Sequence, residues 1–376
     1  MPPAIVIGLC THGLAICRSL STLNIDVHAV DANLSLPGAK TKKAKVHQIA
    51  SINDENLISN LITFHQSQGF TDKPVLFTTN DRMVEVLASG WQKLAPLYTL
   101  SWSKHVNLVA KLQRKDELER VCEQTGLNHP KSVIIPTGVS PQNATSSLKE
   151  LGFPLIIKPV KPMSSFKVKF INNEDETIQL IKEHSDALPF IAQQWIEGND
   201  QSLVFCSGYF EHGKAINHFT GHKLLSHPPT LGQGLVMAPY NNPEVKRQTE
   251  KFFEGTEYTG PASVEFKVAP DGKFWLIEPN IGRTEYSVAC AISNGVELIH
   301  SEYFSAIGQP VVSQHQKNSH VWFDSEKSPG CYFRMAKKSK SLKIGNKKPV
   351  FTFFDLSDLP PFWESTKQKI VNKLKR

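Results

Sequence analysis

The stretch FWLIEPNIGRTEYS, residues 274–287, runs apolar into a glutamate, a proline and an asparagine, and that ending decides how the rest of the chain is read. Upstream, ASVEFKV at 262–268 alternates apolar and polar residues as a half-buried strand does. Pro270, Asp271, Gly272 and Lys273 supply turn chemistry between the two runs. A two-residue turn at Asp271 and Gly272 would pair Val268 with Trp275, Phe266 with Ile277, Glu265 with Glu278 and Ser263 with Asn280. One face is then apolar and the other carries two opposed carboxylates, a destabilising pairing that calls for a cation. Glu265, Glu278 and Asn280 are hard oxygen ligands of the kind magnesium takes, with phosphate oxygens and water completing its shell. The plainer alternative is that both glutamates face solvent, as strand glutamates commonly do.

At 376 residues the chain exceeds one ordinary core, and two or three domains are expected. Its 40% hydrophobic and 20% charged residues suit a soluble globular protein. No apolar run approaches a membrane span, and the opening MPPAIVIGLC has neither the charged region nor the cleavage site of a signal peptide. A cytoplasmic location is expected. Six cysteines lie scattered without CxxC or zinc spacing and read mostly as buried thiols of a reducing compartment. The net charge of +7 gathers late, in Lys337, Lys338, Lys340, Lys343, Lys347 and Lys348 and again at 367–376. Charge runs of this kind are usually solvated. Between them, however, stand Phe351, Phe353, Phe354, Phe362 and Trp363, so this tail is expected to dock on the body or, peripherally, on an anionic inner membrane surface.

Along the chain, AIVIGL reads as a buried parallel strand, followed by a glycine turn, a helix through LAICRSLSTL and the strand VHAVD ending at Asp31. The start is Rossmann-like, but the turn GLCTHG lacks the GxGxxG spacing, which argues against a nicotinamide cofactor. PVLFTTND reads as a strand ending at Asp81. Gly8, His12, Gly13 and Asp81 would then line one substrate-binding crevice at strand ends; otherwise they are ordinary turn residues, His12 above all. From Lys111 a charged amphipathic helix is stopped by Gly126 and Pro130, and another helix leads into LIIKP, whose apolar strand closes on Lys158. A lysine there suits a phosphate, although lone strand-end lysines are often just solvated. Ser164 and Ser165 follow in PMSSF, and FIAQQWIEGND is a strand running into an acidic turn.

Taken in order, these elements over residues 111–309 resemble the ATP-grasp superfamily, of the carboxylate–amine ligase type that includes D-alanine:D-alanine ligase-like and amino-acid or polysaccharide conjugating enzymes. The expected fold class is α/β, an ATP-grasp fold preceded by a Rossmann-like N-terminal domain. The expected divisions are 1–110, 111–190, 191–310 and a C-terminal extension, 311–376. The resemblance implies ATP as a substrate and Mg2+, two ions, with Mn2+ able to substitute. Lys115 and Lys158 would contact the nucleotide phosphates, and Ser164 and Ser165 would cover them. The stretch Gln193, Gln194, Trp195 and Ile196 would read the adenine, and Asp200 would hold the ribose. Gln193 and Gln194 stand where many relatives have Glu-Lys, and the loop after Lys158 lacks the usual glycines. Lys223 and Arg283 are the candidate catalytic cations, Arg283 through the bidentate fork that suits a carboxylate or acyl phosphate; its plainer reading is a surface pair with Glu285. The implied reaction joins a small carboxylate to an amine through an acyl phosphate, releasing ADP and phosphate. Nucleic acid is not an expected partner. The alternatives are an ATP-grasp phosphotransferase or a nucleotide-binding module without turnover.

Overall fold

A computed structural model describes residues 1–160, 166, 168–227, 229, 232–326 and 346–374; the side chains of Lys115 and Asp116 also fall outside the description. The chain divides into two compact units. One comprises Met1–Leu127, Asp200–Phe266 and Glu278–Arg376, the other Asn128–Asn199 and Lys267–Ile277.

The first unit opens with AIVI as β1 (Ala4–Ile7), buried throughout because both of its faces are covered. α1 (Thr11–Ser21) follows, and β2 (Val27–Asp31), β3 (Lys45–Gln48) and β4 (Val75–Phe77) complete a parallel sheet ordered β3-β2-β1-β4. This parallel sheet fits the Rossmann-like start that the sequence predicts. A Cβ on Gly13 would stand 1.8 Å from the Gly8 carbonyl oxygen, so glycine at 13 lets α1 begin in backbone contact with the end of β1. α2 (Asn56–Gln68) leads to β4, and α3 (Asp81–Leu94) leaves it. The strand expected to reach Asp81 stops at Phe77. Asn80 caps α3 by accepting from Met83 N (2.9 Å), and Asp81 becomes the first helical residue, where a carboxylate suits the helix dipole. The helix predicted from Lys111 is likewise two, α4 (Val106–Leu112) and α5 (Lys115–Thr125), the latter closing at left-handed Gly126 as expected.

The second unit is an antiparallel sheet ordered β5-β8-β6-β7, from β5 (Ser132–Ile135), β6 (Leu155–Pro159), β7 (Lys169–Ile171) and β8 (Phe190–Gln194). α6 (Pro141–Leu148) and α7 (Glu174–Glu183) bury Leu148, Leu180 and Ile181 against Leu155, Ile157 and Phe190.

Returning to the first unit, β9 (Leu203–Glu211), β10 (Lys214–His227), β11 (Gln233–Pro239), β12 (Gly260–Val268), β13 (Phe274–Ile281), β14 (His320–Phe323) and β15 (Lys348–Phe351) form a seven-stranded sheet ordered β13-β12-β9-β10-β11-β14-β15. The last two strands come from the stretch expected to be an appended extension. α8 (Pro243–Phe252) lies against β9 and β10, while α9 (Val288–Ser293) and α10 (Leu298–Ala306) join α1, the parallel sheet, Phe205, Phe219 and Trp322 in one buried core. α11 (Pro360–Leu374) ends the description.

The β12–β13 hairpin departs from the two-residue turn. Gly272 N donates to Ala269 O (2.9 Å) and Ala269 N to Lys273 O (2.9 Å), with Gly272 left-handed at φ 80°, so Pro270, Asp271 and Gly272 form a three-residue loop. Counted from that turn, Pro261 should face Ile281, yet its carbonyl accepts from Gly282 N (3.0 Å). β13 therefore takes up one extra residue, as suits a strand whose Pro279 cannot donate. The register predicted near the turn is corrected accordingly: Leu276, fully buried like Phe266, holds the core position expected of Ile277.

Candidate active site

β12, β13 and the loop after β13 gather the polar residues in the first unit. Beyond the extra residue the expected face is recovered, because Ser263 Oγ and Asn280 Nδ2 both donate to Glu285 Oε2, at 2.9 and 3.1 Å. Glu265 is half-buried and meets Lys223 of β10, whose ammonium lies 3.4 Å from Oε2 on an almost fully buried stem. Glu278 is different. The residue is exposed as a whole, yet its pKa is raised, first by desolvation and then by the charges of Glu265, Asp81 and Glu285, with Arg283 opposing. Among the described residues no hydrogen bond or ion pair reaches it. The cation that the sequence calls for is thus partly supplied by Lys223 and Arg283, and a deficit of positive charge remains at Glu278.

That deficit is the test of whether this donor set suits magnesium. Among the described residues no three His, Cys, Asp or Glu side chains form a ready-made cage. Magnesium rarely uses one; a carboxylate or two with substrate phosphates and water is its usual shell, and Glu278 and Glu265 fit that demand, whereas the Asn280 amide oxygen expected beside them accepts from Arg283 Nη2.

Arg283 is buried and makes no pair with Glu285. Nε and Nη2 donate to Asp81 Oδ1 and Oδ2 (2.6 and 3.1 Å), Nη2 also to Asn280 Oδ1, and Nη1 to Thr284 O (3.2 Å). Burial alone would lower its pKa; the bond to Asp81 and the charges of Glu285 and Glu278 more than offset that. Its plainer reading as a surface pair with Glu285 is corrected, and Asp81, expected to line a substrate crevice, holds the guanidinium while its side chain stays exposed. His12 is fully buried: Nδ1 donates to Thr79 O (3.2 Å) and Nε2 accepts from Thr284 Oγ1 (2.8 Å). Burial, then the Arg283 charge, lowers its pKa to about 3. It is a neutral brace between α1, the end of β4 and the loop carrying Arg283, and it does not line a crevice. Gly8 and Gly13 sit at the same turn, in backbone contact.

In the second unit, Lys158 closes β6 opposite Ile191, as its sequence predicts. Gln193 is buried and Gln194 half-buried at the end of β8, and Ile196 is buried. Trp195 N already donates to Pro154 O (3.3 Å), so that donor is spent within the unit. The Trp195 ring carries Lys267 Nζ 3.5 Å from its centroid and meets Phe170 edge-on, a cation–π contact that sequence reasoning missed. Asp200, expected at a ribose, accepts from Ser226 N (3.0 Å) and Ser226 Oγ (2.5 Å) and so secures β10 of the first unit. Ser164, Ser165 and the Lys115 side chain lie outside the described residues.

No protein-family model matches the chain. Over 243 residues it is 25% identical to the D-aspartate ligase of Enterococcus faecium, covering 60% of this chain and 57% of that one. Over 202 residues it is 24% identical to the D-alanine–D-alanine ligase of Pseudomonas entomophila, covering 50% of this chain and 61% of the relative. The matches therefore span less than two thirds of those relatives' lengths. Among solved structures, the N5-carboxyaminoimidazole synthetase of Staphylococcus aureus complexed with ADP superposes with a TM-score of 0.68 at 15% identity, covering 90% of this chain and 86% of that one. The biotin carboxylase domain of the 2-oxoglutarate carboxylase of Hydrogenobacter thermophilus, in complex with MgADP and bicarbonate, gives 0.65 at 15% identity, covering 85% and 73%.

Proposed function

We propose that this chain, an ATP-grasp protein similar to the carboxylate–amine ligases, joins a small carboxylic acid to an amine in the cytoplasm through an acyl phosphate, with release of ADP and phosphate. The observation that carries the reading is the Glu278 carboxylate, which among the described residues no hydrogen bond or ion pair reaches, on the face it shares with Glu265 and Asn280. Those three would hold magnesium, two ions with Mn2+ as a substitute, and the metal would supply charge neutralisation at the phosphates.

The chain's own residues do the rest. Lys223 meets Glu265 at 3.4 Å, so a metal on that carboxylate would release the ammonium toward a phosphate oxygen. Arg283 lends a fixed positive charge, its plane set by Asp81 and Asn280. Lys158 and the Gln193–Ile196 stretch are proposed for the nucleotide on the strength of the resemblance, as are Lys115, Ser164, Ser165 and Asp200. No nucleophilic side chain is required, because positioning and charge neutralisation supply most of the rate in such transfers.

Incubation with ATP, magnesium and pooled amino acids and sugar acids tests the reading. ADP release that requires both an acid and an amine, with a new amide mass, is expected. A phosphorylated acceptor without an amide would make the protein a phosphotransferase, and ATP binding without turnover a binding module.

A further inference from the structure

The last helix packs its first turns onto the first unit and then leaves it. Pro361 and Ser365 are buried, Gln368 Nε2 donates to Ser35 O (2.6 Å) and Lys369 Nζ to Ser325 O (2.7 Å). Just ahead of the helix, Arg18 bonds Asp358 and the carbonyls of Thr352 and Phe353. From Ile370 onward, however, every described residue is exposed, Leu374 by 82%, and Trp363 two turns earlier by 61%. Trp363, Ile370 and Leu374 are spaced seven and four apart and so share one stripe of the helix. Phe354 and Leu356, on the segment leading in, are exposed too. Alongside lies a crevice of about 500 Å³ lined by Phe351, Phe353, Phe354, Phe362 and Ile370. Apolar exposure on this scale marks a docking surface.

Charge says what docks. Glu364 is the one acid of α11, against Lys367, Lys369 and Lys373, and Lys375 and Arg376 follow in the sequence. A second copy using the same stripe about a twofold axis would set these lysines against each other. An anionic bilayer matches both the apolar stripe and the basic charge. We propose that α11 docks the protein on anionic phospholipid, with Trp363, Ile370 and Leu374 entering the interface and Lys367 and Lys373 meeting the headgroups. None of these residues belongs to the candidate active site, so this proposal and the ligase reading fail separately.

Co-sedimentation of the full chain with vesicles decides it, using phosphatidylcholine alone and phosphatidylcholine with a third phosphatidylserine, at low and high salt. Binding at least about tenfold stronger to the anionic vesicles, and lost at high salt, is expected. Ile370→Asp with Leu374→Asp should abolish it, as should Lys367→Glu with Lys373→Glu, both at unchanged melting temperature and unchanged ATP turnover. No sedimentation at low salt, equal binding to neutral vesicles, or variants that bind like the wild type would overturn it. So would a wild-type dimer that the double aspartate variant splits, which would make the stripe a self-interface.

Discussion

The proposed chemistry turns on Glu278, which among the described residues no hydrogen bond or ion pair reaches. Glu278→Gln removes one of four crowded carboxylates, so the metal-free melting temperature should hold or rise while ATP turnover disappears; wild-type turnover would take Glu278 off the metal face. Its raised pKa also means that protons compete with metal there. The magnesium concentration for half-maximal turnover should therefore climb as pH falls through and below that pKa, by up to about tenfold per unit, and the Gln variant should lose that dependence on binding magnesium in calorimetry. Arg283→Lys keeps the charge but loses the fork on Asp81. A fall in kcat larger than any loss of nucleotide affinity is expected, and an unchanged kcat would show that the fork is dispensable. Glu302 makes a prediction of another kind. Buried in the first unit beside Ser101 Oγ (3.1 Å), it has its pKa pushed up to about 8 by desolvation. Below the ordinary glutamate pKa both states hold the proton; between there and about 8 only the folded state does. Stability should fall with rising pH through that window, by up to about 1.4 kcal/mol per unit, and level off above it. Urea melts of Glu302→Gln across the window should be flatter and higher at neutral pH; a slope matching the wild type would refute the assignment.

At the scale of the element, Gly13 tests how α1 is seated. Its absent Cβ leaves room for the Gly8 carbonyl, so Gly13→Ala must push α1 off β1 and should cost at least about 1–3 kcal/mol in denaturant unfolding; an unshifted midpoint would mean the contact gives way freely. Elements of this kind were readable in the sequence wherever the signal was local. AIVI, VHAVD and ASVEFKV announced their strands by pattern, and the spacing of Glu265, Glu278 and Asn280 announced the polar face. The extra residue of β13 was not readable, because turn chemistry at Asp271 and Gly272 is compatible with two loop lengths, and only the bonds of Ala269 with Gly272 and Lys273, set against Gly282 on Pro261, reveal the mismatch. Asp81 and Arg283 are 202 residues apart, and nothing local to either says that they pair. The burial of His12 escaped for the same reason: its partners Thr79 and Thr284 come from distant segments.

For the whole molecule, the order of elements carried the fold. A parallel front sheet, an antiparallel four-stranded sheet and a seven-stranded sheet, mixed because β15 runs parallel to β14, follow the order expected of the ATP-grasp fold, although individual motifs depart from it at Gln193, Gln194 and the loop after Lys158. The aromatic stretch near the C-terminus, expected to dock on the body or on a membrane surface, supplies β15 and the buried Phe353. The proposed function requires that a carboxylate be activated by phosphorylation. The most direct measurement uses the acid selected by the pooled screen, labelled with 18O in its carboxylate, and reads the released phosphate by mass spectrometry. One labelled oxygen carried from acid to phosphate, dependent on ATP and magnesium and absent from Glu278→Gln, is the predicted result. Phosphate free of label, released at the wild-type rate alongside the product, would contradict the acyl phosphate and with it the proposed function.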